Sequence, residues 1–209
     1  MSQIIHGKSL LTDSDIYLFK GGNHFRLYDK LGAHPMAIDG AAGTHFSVWA
    51  PNAQSVSVIG DFNGWNRVSH PLACRWDSSG IWEGFIPGLT HGQLYKYFIV
   101  SKQHDYSVEK QDPFAFCSNL PPQTASRIWD IQYDWHDQEW MQNRKRFNQL
   151  NGPISIYELH LGSWRRALQE NNRFYTYREL ARELVSYIQE MGYTHVEFMP
   201  IMADRKSVV

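Results

Sequence analysis

Two stretches of the chain hold residue types whose spacing can do chemistry. The first is Gly60-Asp61-Phe62-Asn63-Gly64-Trp65-Asn66, which joins a β-like run to an indole through two glycines and an asparagine. A turn of this kind can leave one aromatic face open, and a flat apolar ring stacks on the face of a sugar while nearby amide or ammonium groups bind its hydroxyls. The same residues also suit a hairpin whose Trp65 caps the core, and spacing leaves both readings standing. The second stretch is Tyr157-Glu158-Leu159-His160-Leu161-Gly162-Ser163-Trp164-Arg165-Arg166. Glu158 and His160 alternate onto one face of a strand, where a carboxylate beside an imidazole can serve as an acid-base pair. Such groups more often hydrogen-bond within a barrel or hold the loop that follows.

The elements that must position these residues fall into two patterns. From Thr44 the apolar residues recur with period two: Phe46 and Val48, then Val56 and Val58 beyond the turn at Ala50-Pro51-Asn52. Gly80 to Ile86 and Leu94 to Val100 supply two more strands, punctuated by Pro87-Gly88 and His91-Gly92. Short strands at this spacing predict an antiparallel, immunoglobulin-like β-sandwich. Ahead of it lie a helical stretch around Ser9 to Phe19 and a weakly patterned polar segment from Tyr28 to Gly43; after it, Pro113, Pro121 and Pro122 mark coil, and Trp135 to Gln149 reads as a polar helical connector.

The pattern then changes to strand, helix, strand. Ile154 to His160 is strand-like, and Thr176 with Glu179 forms a capping box, in which hydroxyl and carboxylate each take an orphan amide at a helix start. Leu180, Leu184, Ile188 and Met191 keep one apolar stripe, Gly192 terminates it, and Tyr193 to Met202 returns to a strand. This is a right-handed crossover opening a parallel sheet or barrel. Parallel strands are buried on both faces and need several neighbours, so a chain ending after two of them is expected to carry an unfinished domain, and the motif resemblance that follows implies that it is the incomplete start of a (β/α)8 barrel. The expected organisation is an N-terminal extension at 1–27, the sandwich at 28–115, a connector at 116–153, the β-α-β unit at 154–203 and a tail at 204–209.

Composition narrows the function classes. The 209 residues are 43% hydrophobic and 14% aromatic, ample for a packed core. Twenty basic residues against twenty-one acidic ones give a net charge of -1, which leaves no electrostatic footprint for nucleic acid or an anionic membrane and favours a neutral partner. Cys74 and Cys117 form neither a disulfide framework nor a zinc site and suit a reducing compartment. No signal peptide or membrane span is apparent, so a cytoplasmic location is expected, with no metal and no cofactor.

The motifs also carry a resemblance. "GDFNGW" followed by "GQLYKYFIV" resembles the carbohydrate-binding sandwich of starch- and glycogen-active enzymes and of the glycogen-binding subunit of a protein kinase. In that family the tryptophan of the turn and the lysine of the strand contact glucan, which implies substrate binding by Trp65 and Lys96. The kinase module has a further tryptophan after this strand, where the present chain runs Ser101 to Tyr106. "ISIYELHLGSWRR", then "YRELARELVSYIQEMGYTHVEFMPI", is similar to the start of the alpha-amylase-type barrel in bacterial glycogen branching enzymes, as are "LGAHP", "FSVWAPNA" and "KQDPFAF". Isoamylases and trehalose-releasing hydrolases share the sandwich but usually lack the Ser163 to Arg166 continuation.

The resemblance implies an enzyme that cuts an alpha-1,4-glucan, holds the oligosaccharide on an aspartate and transfers it to a 6-hydroxyl, making an alpha-1,6 branch. The family's nucleophilic aspartate, general-acid glutamate and stabilising aspartate sit on later barrel strands, so no catalytic residue is expected here. The chain is expected to be an N-terminal portion of a monomeric longer protein whose partner is alpha-glucan. A stand-alone glycogen-binding module and part of a debranching hydrolase are the alternatives. Resemblance stops at Ala203, and Asp204 to Val209 can be encoded by a common sequencing-library adapter, so that tail is expected to be artefactual.

Overall fold

A computed structural model describes residues 3–103, 106–120, 122–147 and 149–201. The tail at 204–209 lies outside the described residues. The chain divides into two units, Met1–Tyr133 and Asp134–Val209.

In the first unit, helix α1 (Asp13–Lys20) precedes strands β1 (Gly32–Ile38), β2 (Ala41–Trp49), β3 (Ala53–Gly60), β4 (Ala73–Cys74), β5 (Ile81–Pro87), β6 (Leu94–Ser101), β7 (Ser107–Lys110), β8 (Cys117–Ser118) and β9 (Ser126–Arg127). One antiparallel sheet has the order β1-β2-β5-β4. The other runs β3-β6-β9-β8, with β7 sharing the β9 edge of β6. Side chains alternate as the period-two pattern predicts. Phe46, Val48, Val56, Val58, Ile86, Tyr95 and Tyr97 point between the sheets and form one buried core with Leu72 and Ile128. At about 25 cal/mol per Å² of apolar surface, this layer is the main source of stability for the unit.

β1 lies in the segment whose pattern predicted little. Pro35 sits in it, opposite Thr44. Proline lacks a donor and is tolerated where one side of the strand is unpaired, and β1 is an edge strand.

The compact unit includes segments on both sides of the expected sandwich at 28–115. The N-terminal segment is built into the sandwich. Ile5 exchanges both backbone hydrogen bonds with Phe85 at 2.7 and 2.9 Å. Leu11 and Ile16 bury against Leu31 and Ile81 on the face of the first sheet opposite the core. Beyond residue 115, the Ser126 hydroxyl accepts from the Asp112 amide and Ile128 lies fully buried in the core. Segments with weak local pattern thus acquire their place from partners far away in sequence.

This cover closes over His45, which is 1% exposed. Its Nε2 donates to the Lys8 carbonyl at 3.1 Å, so Nδ1 carries no proton, and Nδ1 has no partner among the described residues. Glu83 lies 3.9 Å from the ring but spends its carboxylate on Arg75 and Ser9, each at 2.7 Å. Burial therefore pulls the imidazole down from 6.5 to about 4.

In the second unit, α2 (Gln138–Phe147) is followed by β10 (Ile156–Leu159), α3 (Leu161–Trp164), the short antiparallel pair β11 (Arg166–Ala167) and β12 (Arg173–Phe174), α4 (Tyr177–Met191) and β13 (His195–Phe198). β10 and β13 pair in parallel with α4 between them. The capping box is formed by Thr176 and Glu179, and Gly192 closes the helix in the left-handed region at φ 74°, as their residue types predict. Leu180 and Leu184 are its buried residues. The parallel sheet has two strands among the described residues, the pair that the strand-helix-strand pattern predicts.

The buried imidazole gives a signed pH dependence. A base whose folded pKa is depressed contributes stability that is fully present above 6.5 and is lost as pH falls toward 4. Between pH 7 and pH 4 the stability advantage of the wild type over His45→Gln should shrink by about 3 kcal/mol, read from urea unfolding at the two pH values.

Candidate functional site

The Gly60 to Asn66 turn is built around a buried amide. Asn63 is 5% exposed. Its Oδ1 accepts the Gly60 amide at 3.0 Å; its Nδ2 donates to the Val58 carbonyl at 3.0 Å and lies at the same distance from Ser69 Oγ and His70 Nδ1. One side chain thus fastens the end of β3 to the segment that returns along it. Gly60 is required by close approach, since a Cβ there would stand 2.1 Å from the Leu94 carbonyl oxygen.

Gly64 turns the chain through the left-handed region, and Trp65 follows it there at φ 59°. A bulky side chain at positive φ is a strained exception whose cost the surroundings must offset. Two bonds hold it. The Trp65 amide donates to the Gly60 carbonyl at 2.9 Å, and the indole Nε1 donates to Asp61 Oδ1 at 2.9 Å. The ring is half-buried. It is neither a sealed core residue nor a free one: its polar edge is fixed and part of its surface faces solvent.

Lys96 lies on β6 between Tyr95 and Tyr97, which are fully buried, so its side chain takes the outer face of the second sheet. Its cross-strand partner is Ile59, and Gly60, from which the turn departs, pairs with Tyr95. The structure thus brings the base of the Trp65 turn to the strand position next to Lys96. Phe98 follows on the same outer face, opposite Glu109 of β7. Arg67 reaches from the turn to this point: its guanidinium lies 4.9 Å from the Phe98 ring centre and donates to Glu109 Oε1 at 2.8 and 3.2 Å. Sequence reasoning did not single out Asp61, Arg67 or Glu109. The adjacency of Asp61 and Arg67 to Trp65 was the available signal; the register of Glu109 against Phe98 had none.

The strand is held from the other side by Asp112. Its Oδ2 accepts from Tyr95 at 2.6 Å and from Tyr97 at 3.1 Å, and its Oδ1 from the Phe114 amide at 2.8 Å. Burial pushes the Asp112 carboxyl up and both phenols well above their usual range.

In the second unit, Glu158 and His160 do not meet. β10 ends at Leu159, Glu158 is exposed opposite Glu197, and the His160 ring turns to Ser163 Oγ at 3.1 Å. His160 holds the following loop, the commoner of its two expected roles. The Ser163 to Arg166 run instead builds an aromatic clamp. Trp164 Nε1 donates to the Tyr157 hydroxyl at 2.9 Å, and Arg165 lies 4.5 Å from the Trp164 ring and 5.2 Å from Tyr187 on α4.

With this geometry in place, the comparisons with known proteins are specific. Residues 30–115 match carbohydrate-binding module 48, the isoamylase N-terminal domain. The chain is 55% identical over 194 residues to the 1,4-alpha-glucan branching enzyme GlgB of Aquifex aeolicus, covering 93% of this chain and 30% of that protein. It is 52% identical over 190 residues to that of Albidiferax ferrireducens, covering 91% and 29%. Along nearly all of its length the chain resembles bacterial branching enzymes.

It spans about three tenths of the length of these relatives. Among solved structures, a pullulanase from Klebsiella pneumoniae matches with a TM-score of 0.57 at 20% identity, covering 83% of this chain and 20% of that one. The GBS pullulanase SAP in complex with maltotetraose matches at 0.55 and 22%, covering 83% and 24%. At these identities the likeness is one of fold. The module matched by the family contains the whole Trp65 turn, Lys96, Phe98 and Glu109.

The turn's dependence on one amide is testable. Asn63→Ala leaves the Gly60 amide and the Val58 carbonyl unpaired inside the module, and should destabilise the unit by about 2 kcal/mol, measured by urea unfolding.

Proposed function

We propose that the chain is the glucan-binding module and the opening of the catalytic domain of a 1,4-alpha-glucan branching enzyme, and that the outer face of the second sheet holds an alpha-glucan through Trp65 and Lys96. The observation that carries this reading is the Trp65 turn: a strained tryptophan whose indole N–H is tied to Asp61, beside a strand that presents Lys96 outward. A fixed ring loses little freedom when a sugar stacks on it, and an ammonium on a half-buried stem donates to hydroxyls without demanding a charged partner. The near-neutral composition agrees with a neutral polymer as ligand.

For the longer protein, the reading is transfer of an oligosaccharide from an alpha-1,4 linkage to a 6-hydroxyl. The 55% identity to a protein of that name supports it over debranching, for which the likeness is 20% and confined to fold. No residue of this chain is assigned to bond cleavage: Glu158 and His160 stand apart, and the run from Tyr157 to Arg166 is spent on packing β10 against α4. The module then serves to retain substrate near a centre housed elsewhere. A cytoplasmic location and a monomeric state go with this reading; among the described residues, no helix is long and apolar enough to cross a membrane.

Two outcomes test it. Trp65→Ala should reduce retention on a glycogen affinity gel several-fold while urea unfolding remains a single transition; loss of the transition itself would make Trp65 a core residue. Residues 1–209 should neither branch nor hydrolyse amylose, and iodine staining should stay at the level of buffer.

A further inference from the structure

Beyond Trp65 and Lys96, the outer face of β6 carries a second arrangement of polar groups that the glucan reading does not yet use. Arg67 and Glu109 form an exposed ion pair, with side chains 59% and 33% exposed. Pairs this open contribute little to stability, because solvent screens the attraction and two long side chains must be ordered to make it. Here the ordering is done by the ring beneath. The guanidinium lies over Phe98, and both of its bonds, from Nε and from one terminal nitrogen, go to the same oxygen, Glu109 Oε1. The remaining terminal nitrogen of Arg67 and Oε2 of Glu109 make no hydrogen bond to any described residue.

The result is a rigid set of planar donors beside an acceptor, with no net charge, at the surface. A vicinal diol presents one hydroxyl that can accept and one that can donate at neighbouring positions, and a guanidinium-carboxylate edge meets both. The pair is also placed for it. Arg67 follows Trp65 by two residues in the same turn, and Phe98 follows Lys96 by two residues on the same strand face, about 7 Å away.

We propose that Arg67 and Glu109 form a diol-binding subsite, taking the 2- and 3-hydroxyls of a glucosyl unit adjacent to the one held at Trp65. The subsite rests on the glucan reading of that surface and extends it. Trp65 supplies apolar area to any sugar ring, whereas Arg67 and Glu109 supply selectivity, since they require both hydroxyls to be free.

The test uses the 209-residue chain and maltoheptaose, with binding followed by calorimetry and with maltoheptaose methylated at its 2- and 3-hydroxyls as the blocked probe. Arg67→Lys keeps the charge but removes the planar fork, and Glu109→Gln keeps the shape but removes the anion. Each should weaken maltoheptaose binding about tenfold, and wild type should lose a similar factor toward the blocked probe. The melting temperature and the Trp65 indole N–H resonance, assigned by its absence in Trp65→Phe, should be unchanged in both variants. If both variants bind as wild type does while Trp65→Ala does not, the subsite is overturned and the Trp65 surface stands. If wild type itself fails to bind maltoheptaose, both fall. If binding weakens together with a shifted Trp65 resonance, Arg67 acts as a strap on the turn and the subsite is overturned.

Discussion

The buried carboxylate of Asp112 is the interaction on which the candidate surface rests. It accepts two phenols and a backbone amide, while its own amide donates to Ser126. These bonds join β6, the coil after β7 and β9. A carboxyl out of water is costly unless its lone pairs are satisfied, so the arrangement is all or nothing. Burial raises the carboxyl pKa, and the tyrosines' own burial, with the Asp112 charge beside them, raises both phenols. For the acid, that means a charge the folded state accommodates less well as pH rises above the ordinary carboxylate range; for the phenols, it means stability lost once the unfolded chain can ionise above pH 10. With Tyr95 and Tyr97 fixed inward, the residues between and beyond them, Lys96 and Phe98, have one face available.

The two sheets are treated unequally. The outer face of the first is covered by the chain's own N-terminal segment, which brings Ile5 beside β5, Leu11 and Ile16 over Ile81, and Ser9 into the Arg75 and Glu83 cluster. This is why His45 and Ser47, which alternate away from the core, are nonetheless buried. On the second sheet, Lys96, Phe98 and Val100 of the outer face stay partly open. With one face closed by its own chain, the sandwich leaves the other, with its fixed indole, ammonium and ion pair, as the surface for the proposed glucan.

The second unit shows how a motif that looks reactive can be structural. Ser163, Trp164 and Arg165 are consumed in capping β10 and bracing α4; Tyr187 and Tyr193 pack tilted against Tyr157 at 5.4 and 4.9 Å, and Trp164 meets Tyr187 edge-on at 5.7 Å. Glu158 faces Glu197 across the parallel pair, a juxtaposition of like charges that contributes nothing to the pairing of the two strands.

By itself the sequence determined what depends on near neighbours. The alternation of Phe46, Val48, Val56 and Val58 set which face of each strand is core, because side chains in a strand alternate whatever the rest of the chain does. Thr176, Glu179 and Gly192 set the ends of α4, because caps act within a single turn. The Gly60 to Trp65 turn was legible for the same reason, while Lys96 was named only through the resemblance of its strand motif. Tertiary structure decided the rest. That Asp112 meets Tyr95 and Tyr97, that Glu109 lies opposite Phe98 and receives Arg67, and that residues 3–27 close the first sheet are outcomes of register and packing between segments distant in sequence. So was the separation of Glu158 from His160: the strand ends at Leu159, and the imidazole turns to the loop ahead of it. Local pattern gives a side chain its direction, but only the assembled sheets choose its neighbour.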